Sequence, residues 1–167
     1  AQRFAACYIA TPERSMRLAD APGRSPYLHP PAIESGGGGL VSTMDDFSRF
    51  AEVLRKGGAP ILQASTLAMM TSNQLPGGRE LKDVALVSDP KLLPEATGFG
   101  LGFATTLDTS QGGFPPAGDF YWSGAATTIW WVDRSRALTV LFMTQLLPAT
   151  AYGFQGWLKR QVDAALD

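Results

Sequence analysis

DFYWSGAATTIWWVDRSRALTVLFMTQL, residues 119 to 146, decides how the rest of the chain reads. It opens as an apolar strand ending in Trp122-Ser123-Gly124, turns almost at once, and continues as two more apolar strands. In the second of these, Thr127, Ile129 and Trp131 share one face, and Thr128, Trp130 and Val132 the other. A strand apolar on both faces is covered on both sides, as in a central strand of a layered α/β domain rather than a half-wet sheet. Asp133 to Arg136 reads as a hairpin turn, after which LTVLFMTQL returns. A strand ending in residues as small as Ser123 and Gly124 can hold one edge of an active site, because a substrate can lie along its backbone. The stretch offers no nucleophile with an evident activating base. It therefore reads as the part of a catalytic site without the reactive side chain.

On the C-terminal side, Phe154, Trp157, Leu158, Val162, Ala165 and Leu166 mark an amphipathic helix with Lys159, Arg160 and Asp163 on its polar side. It is expected to pack on the sheet. On the N-terminal side, GFGLGFATTL from Gly98 reads as one strand with Phe99, Leu101 and Phe103 on one face. Its alternate glycines mark a place where something packs tightly against the sheet. TSQGGFPPAG then links strands. Residues 74 to 97 hold prolines at 76, 90 and 94 and read as a connection, with at most one short element around Val84 to Val87.

One helix is written plainly. Thr43 is a natural N-cap, and Asp46 three residues on completes a capping-box-like pair, with Asp45 also suited to the positive helix end. Met44, Phe47, Phe50, Ala51 and Leu54 form the apolar stripe, Lys56 suits the last turn, and Gly57-Gly58 ends it. A shorter helix is expected from Ser65 through LAMMTS, with Leu67, Met69 and Met70 turned inward. Before these, Phe4, Tyr8 and Ile9 suggest a short strand. TPERSMRLADAPGRSPYLHPP reads as loop, because its five prolines prevent any long helix. The run Gly36 to Gly39 lacks the Lys-Ser/Thr of a phosphate loop and reads as a tight turn before the helix.

Composition narrows the function classes. Fourteen Lys and Arg against fifteen Asp and Glu leave no basic footprint for nucleic acid or an anionic membrane. The longest apolar runs fall far short of the roughly 20 residues of a membrane span. The single cysteine, Cys7, excludes an internal disulfide, and the single histidine, His29, excludes zinc sites built on paired histidines. No metal or other cofactor is implied. His29, beside two prolines and with no G-x-S-x-G elbow in the chain, reads as a surface residue rather than a triad base. The one S-x-x-K match, Ser88 to Lys91, is rejected because Pro90 sits inside the turn that would bring lysine to serine. Tyr121-Trp122-Ser123 matches Y-x-S, but on a strand.

Together GGGGLVSTMDDFSRFAEVLRKGG (36–58), LQASTLAMMTSNQLPGG (62–78), GFGLGF (98–103) and YWSGAATTIWWVDRSRALTVLFMTQ (121–145) resemble the class C β-lactamase-related serine hydrolases. The likeness is strongest to the esterase branch, the family VIII carboxylesterases, and covers essentially the whole chain in order. It implies an α+β fold: the C-terminal portion of a β-lactamase/transpeptidase-like fold, an antiparallel sheet flanked by helices. Residues 1–97 would be a loop-rich and helical segment bordering the cleft. Residues 98–167 would supply sheet strands and a C-terminal helix, the two together forming one incomplete catalytic domain.

In that family the S-x-x-K serine and lysine and an activating tyrosine lie in the N-terminal half, here expected before Ala1. Trp122-Ser123-Gly124 matches the third motif, on the strand lining the opposite wall. By the same resemblance Ala125, just after the motif glycine, would give its backbone N–H to the oxyanion hole. Gly124 would let the acyl group approach, while Trp122 and Ser123 would line the cleft. Tryptophan in place of the β-lactamase lysine removes a cation for a substrate carboxylate, which favours neutral esters over carboxylated lactams.

The resemblance thus implies hydrolysis of short-chain carboxylic esters through an acyl-enzyme, with weak β-lactam hydrolysis, and a chain inactive alone. Rival readings are an acyltransferase of the same fold and a non-catalytic ligand-binding relative. The expected partners are a small ester substrate and, to cover an open strand edge and apolar sheet face, either the N-terminal half of the same protein or a second copy. Bacterial cytoplasm and periplasm are both left open.

Overall fold

The computed structural model describes residues 3–86, 93–107 and 118–166. Among these residues eight strands and three α-helices follow one another as β1 (Cys7–Ala10), β2 (Met16–Asp20), α1 (Met44–Arg55), α2 (Ala64–Met70), β3 (Thr97–Phe99), β4 (Ala104–Thr106), β5 (Phe120–Ser123), β6 (Ile129–Asp133), β7 (Leu138–Phe142), β8 (Leu146–Leu147) and α3 (Phe154–Leu166). They form an α+β fold with a three-stranded sheet, β2-β1-β8, and a five-stranded sheet, β3-β4-β5-β6-β7. The chain groups into two compact units. The first is Ala1–Phe47 with Ser123–Ile129 and Phe142–Asp167, and the second is Ser48–Trp122 with Trp130–Leu141.

α1 begins in the first unit and continues into the second, and it forms where its caps dictate. The Thr43 hydroxyl accepts the Asp46 N–H (3.1 Å) and donates to the Asp46 carboxylate (2.9 Å), satisfying one of the helix's orphan donors. At the other end Gly57 donates to Leu54 C=O (3.1 Å) and Gly58 to Val53 C=O (2.8 Å), the paired bonds of a Schellman stop. Ala51 and Leu54 are buried, and the Phe50 ring meets Trp130 edge-on with centroids 6.4 Å apart. All five residues of β6 are buried, as the two-sided apolar pattern requires, although β6 is an inner strand between β5 and β7 of a sheet whose β3–β4 and β4–β5 ladders are antiparallel.

GFGLGF is a hairpin rather than one strand. β3 and β4 pair antiparallel, and Gly100 donates back to Phe103 C=O (2.8 Å), leaving Leu101 exposed at the turn. The cause lies in α2. The Leu101 N–H donates to Met70 C=O (2.8 Å), and a Cβ on Gly100 would stand 1.9 Å from that same oxygen. The glycines therefore do mark a tight approach, that of the α2 C-terminus. In α2 itself Leu67 is buried as expected, but Met69 is exposed. The buried neighbour one turn after Leu67 is Thr71, whose hydroxyl donates to Leu67 C=O (2.9 Å) and accepts from Arg134 Nη2 (2.6 Å). In place of an element around Val84 there are 3-10 turns at Pro76–Gly78 and Leu81–Asp83. The TSQGGFPPAG linker and the Ser88–Lys91 match fall almost wholly outside the described residues.

In the first unit two readings change. The proline-rich stretch contains β2, antiparallel to β1 with Tyr8 opposite Leu18 and Ala10 opposite Met16. Prolines at 12 and 22 bound this window without entering it, and Arg14, at φ 58, makes the tight turn back. LTVLFMTQL is two strands. β7 stays in the larger sheet, while β8 pairs parallel with β1 through Tyr8–Leu146 and Ile9–Leu147. Phe154 at the start of α3 meets Phe142 at 5.8 Å, yet no residue of α3 is buried. Trp157, Met16 and Leu18 stay at least half or nearly half exposed. Among the described residues no helix is long and apolar enough to cross a membrane.

One buried charge sits under the β6–β7 turn. Asp119 is 1% exposed; its Oδ1 accepts the Arg134 N–H (2.7 Å), and its Oδ2 is buried with no partner among the described residues. Burial, with the nearby Asp133 charge adding to it against the Arg134 N–H, pushes its carboxyl up from 3.8 to about 6. A carboxyl with a raised folded-state value binds its proton more tightly folded than unfolded, so stability falls as pH rises from about 4 to about 6. Fully ionised, Asp119 opposes folding by up to about 3 kcal/mol. Asp119→Asn keeps the acceptor for Arg134 and cannot ionise. Urea melts between pH 4 and pH 8 are expected to show the variant gaining stability over the parent above pH 6 and matching it near pH 4. A constant difference across that range would refute the assignment.

Candidate functional site

Trp122, Ser123, Gly124 and Ala125 run consecutively from the end of β5 into the turn before β6. Trp122 is 42% exposed, with one edge set against Phe99 at 4.9 Å and 78°. It is neither a core aromatic nor a free one: the contact orients the ring and leaves a face open. Among the described residues the Ser123 hydroxyl makes no hydrogen bond, and no basic group activates it.

Gly124 is held at both ends of its own turn. Its N–H donates to Thr128 C=O (2.9 Å), and its C=O accepts the Thr127 N–H (3.0 Å). A Cβ here would stand 2.3 Å from Thr128 Oγ1, so glycine is needed for the chain's own closure as well as for any approaching ligand. This bonding, with Thr127 at φ 67, is that of a three-residue hairpin loop whose last residue is left-handed. Ala125 is its first residue and is exposed. Among the described residues its N–H donates to no protein group, which leaves it available to an acceptor from outside.

Other candidates lose their chemical roles. Tyr121 of the Y-x-S match is buried, and its hydroxyl shares a 3.1 Å hydrogen bond with Thr97 Oγ1. Burial pushes its phenol above the ordinary value, the opposite of what a tyrosinate base needs. His29 caps a 3-10 turn at Pro26–Leu28 and is exposed. Among the described residues no group of three His, Cys, Asp or Glu side chains could hold a metal ion.

Sequence reasoning set Thr127 on a strand face with Ile129 and Trp131 and passed over Thr144, whereas Thr127 lies in the loop before β6 at φ 67. The Thr127 hydroxyl, on a residue 1% exposed, donates to Leu146 C=O (2.5 Å), and Thr144 Oγ1 donates to Ala126 C=O (2.7 Å). A readable signal existed, since a three-residue loop between apolar runs calls for a left-handed residue in third place. Threonine disguises it, because Gly or Asn normally fills that position.

Comparison with known proteins bears on the whole chain. Protein Rv1367c of Mycobacterium tuberculosis is 31% identical over 154 residues, spanning 89% of this chain and 38% of that protein. Acyltransferase calJ of Penicillium decumbens is 30% identical over 126 residues, 71% of this chain and 30% of that one. This chain thus spans well under half the length of the curated relatives it matches. Among solved structures, simvastatin synthase from Aspergillus terreus superposes with a TM-score of 0.68 at 20% identity, over 90% of this chain and 38% of that one. EstCE1, a hydrolase with promiscuous acyltransferase activity, does so with a TM-score of 0.57 at 20% identity, over 90% and 41%. These two show a shared fold, the β-lactamase-like one, of which this chain makes up a part. Residues 4–164 match the family described as Beta-lactamase, and the chain belongs to that family.

Proposed function

We propose that this chain forms the oxyanion-binding wall of a serine hydrolase of the family VIII carboxylesterase type, which cleaves short-chain carboxylic esters through an acyl-enzyme. The observation that carries this reading is Ala125, an exposed residue one beyond Trp122-Ser123-Gly124, whose N–H donates to no group among the described residues. When a serine oxygen bonds to the ester carbonyl carbon, the carbonyl oxygen takes up negative charge, and the Ala125 N–H is placed to donate to it. The alcohol leaves with its oxygen, and water then attacks the acyl carbon to release the acid and free the serine. Exposed Trp122, without a cation at that point, suits neutral esters, with carboxylated lactams poor substrates. The serine, its lysine and its tyrosine belong in this reading to sequence outside these 167 residues, and the chain alone is inactive. The exposed apolar residues Met16, Leu18 and Trp157 fit covering by that remaining portion or by a second copy.

A second reading has specific support. Two similar proteins, acyltransferase calJ and EstCE1, a hydrolase with promiscuous acyltransferase activity, support a reading in which an alcohol or amine rather than water takes the acyl group. Product analysis at a fixed acyl donor, with and without an alcohol acceptor, separates the two. The first test is a fluorophosphonate serine probe followed by native and denaturing mass spectrometry. The expected result is an adduct on polypeptide outside residues 1–167 and none on this chain. An adduct at Ser123, or at Ser88, would overturn the assignment of the nucleophile elsewhere.

A further inference from the structure

We infer that Thr127 is a positioning residue that sets the direction of the Ala125 N–H, an inference that rests on the reading of that N–H as an oxyanion donor. The argument begins with peptide geometry. Gly124 C=O and Ala125 N–H belong to one planar trans peptide and point in opposite directions. Holding the carbonyl therefore aims the N–H. The group that holds it is the Thr127 N–H, at 3.0 Å.

Thr127 is an improbable residue for this work on backbone grounds. Its φ of 67 places a β-branched side chain in the left-handed region, where Cβ crowds the following carbonyl and glycine is the usual occupant. Strain of that kind persists only where the surroundings over-determine it, and it gathers at functional sites. Here the over-determination is visible. Thr127 is 1% exposed, and its hydroxyl donates to Leu146 C=O at 2.5 Å. The next carbonyl back, that of Ala126, accepts both Thr144 Oγ1 (2.7 Å) and the Leu146 N–H (3.1 Å). Leu146 is in turn paired to Tyr8 in the three-stranded sheet. The loop that carries the exposed Ala125 is thus tied by three bonds to a strand end inside its own unit, and the Thr127 hydroxyl supplies one that glycine could not.

The test is made in the complete enzyme containing this chain. Thr127→Gly suits the backbone and removes only the side-chain tie, so its melting temperature is expected to stay close to the parent's. Its kcat is expected to fall about tenfold or more with KM little changed, because the lost alignment matters in the transition state. Thr127→Ser restores the hydroxyl and is expected to recover most of the kcat. A boronic acid transition-state mimic should bind Thr127→Gly more weakly by the factor lost in kcat/KM. Ala125→Pro, which deletes the N–H itself, separates the two levels. If it keeps full turnover, the oxyanion reading fails and the role of Thr127 with it. If it is inactive while Thr127→Gly keeps its kcat, the role of Thr127 alone is overturned. A Thr127→Gly loss that Thr127→Ser does not repair, or that follows a collapse in melting temperature, also overturns it.

Discussion

Phe120→Ala is expected to lose about 3–5 kcal/mol of folding stability, as large-to-small changes at buried aromatics do. Phe120 has no exposed surface, and its ring meets Phe103 at 5.2 Å and Trp130 at 6.0 Å. The Arg134 guanidinium lies 5.0 Å from the ring centroid, and the same group donates to Thr71. Truncation therefore removes buried area, two aromatic pairs worth about 0.5–1.5 kcal/mol each, and a cation–π contact in one step. Against a total of about 5–15 kcal/mol for a whole domain, this is enough to threaten folding. Phe120→Leu keeps much of the buried volume and should lose distinctly less. Urea unfolding of the two variants decides it, and a loss below about 1 kcal/mol for the alanine variant would show that the cluster closes over the gap.

The second large effect is on catalysis. On the proposed reading of Ala125 as an oxyanion donor, Ala125→Pro in the complete enzyme is expected to lower kcat by about 10²–10³ with folding intact. The substitution is unusually clean here. Ala125 directly follows the residue whose carbonyl closes the turn with the Thr127 N–H, the position at which turns favour proline. Its own N–H makes no bond among the described residues, so no hydrogen bond among them is lost. KM should change little, because the donor matters most when charge has developed on the substrate oxygen. Matched circular dichroism with unchanged kcat would remove Ala125 from the mechanism.

What could be read from the amino-acid sequence was local. α1 was legible because Thr43, Asp46, Gly57 and Gly58 satisfy its ends from within a few residues. β6 was legible because apolar side chains alternate onto both faces. The β3–β4 hairpin was not, since its apolar alternation runs straight through the turn and the deciding group is the carbonyl of Met70. β2 was hidden between prolines whose veto applies to helices and not to five extended residues. At the site, Trp122 to Ala125 could be picked out as a strand end and turn, while the tie from Thr127 to Leu146 is a tertiary contact with no sequence signature.

The pairing of Tyr8 with Leu146 also bears on how the molecule comes into being. Tyr8 and Leu146 stand far apart in the sequence, so completing the smaller sheet closes a long loop. Closure entropy grows only slowly with loop length, so the contact is affordable at equilibrium. Its burden is kinetic, since contacts of high sequence separation form late. During synthesis β1 and β2 emerge before β8, leaving one edge of β1 unpaired until β8 arrives, a template for misassociation over that interval. Because Leu146 also holds the loop that carries Ala125, the loop proposed to bind the oxyanion is expected to take its final form only after β8 has joined β1.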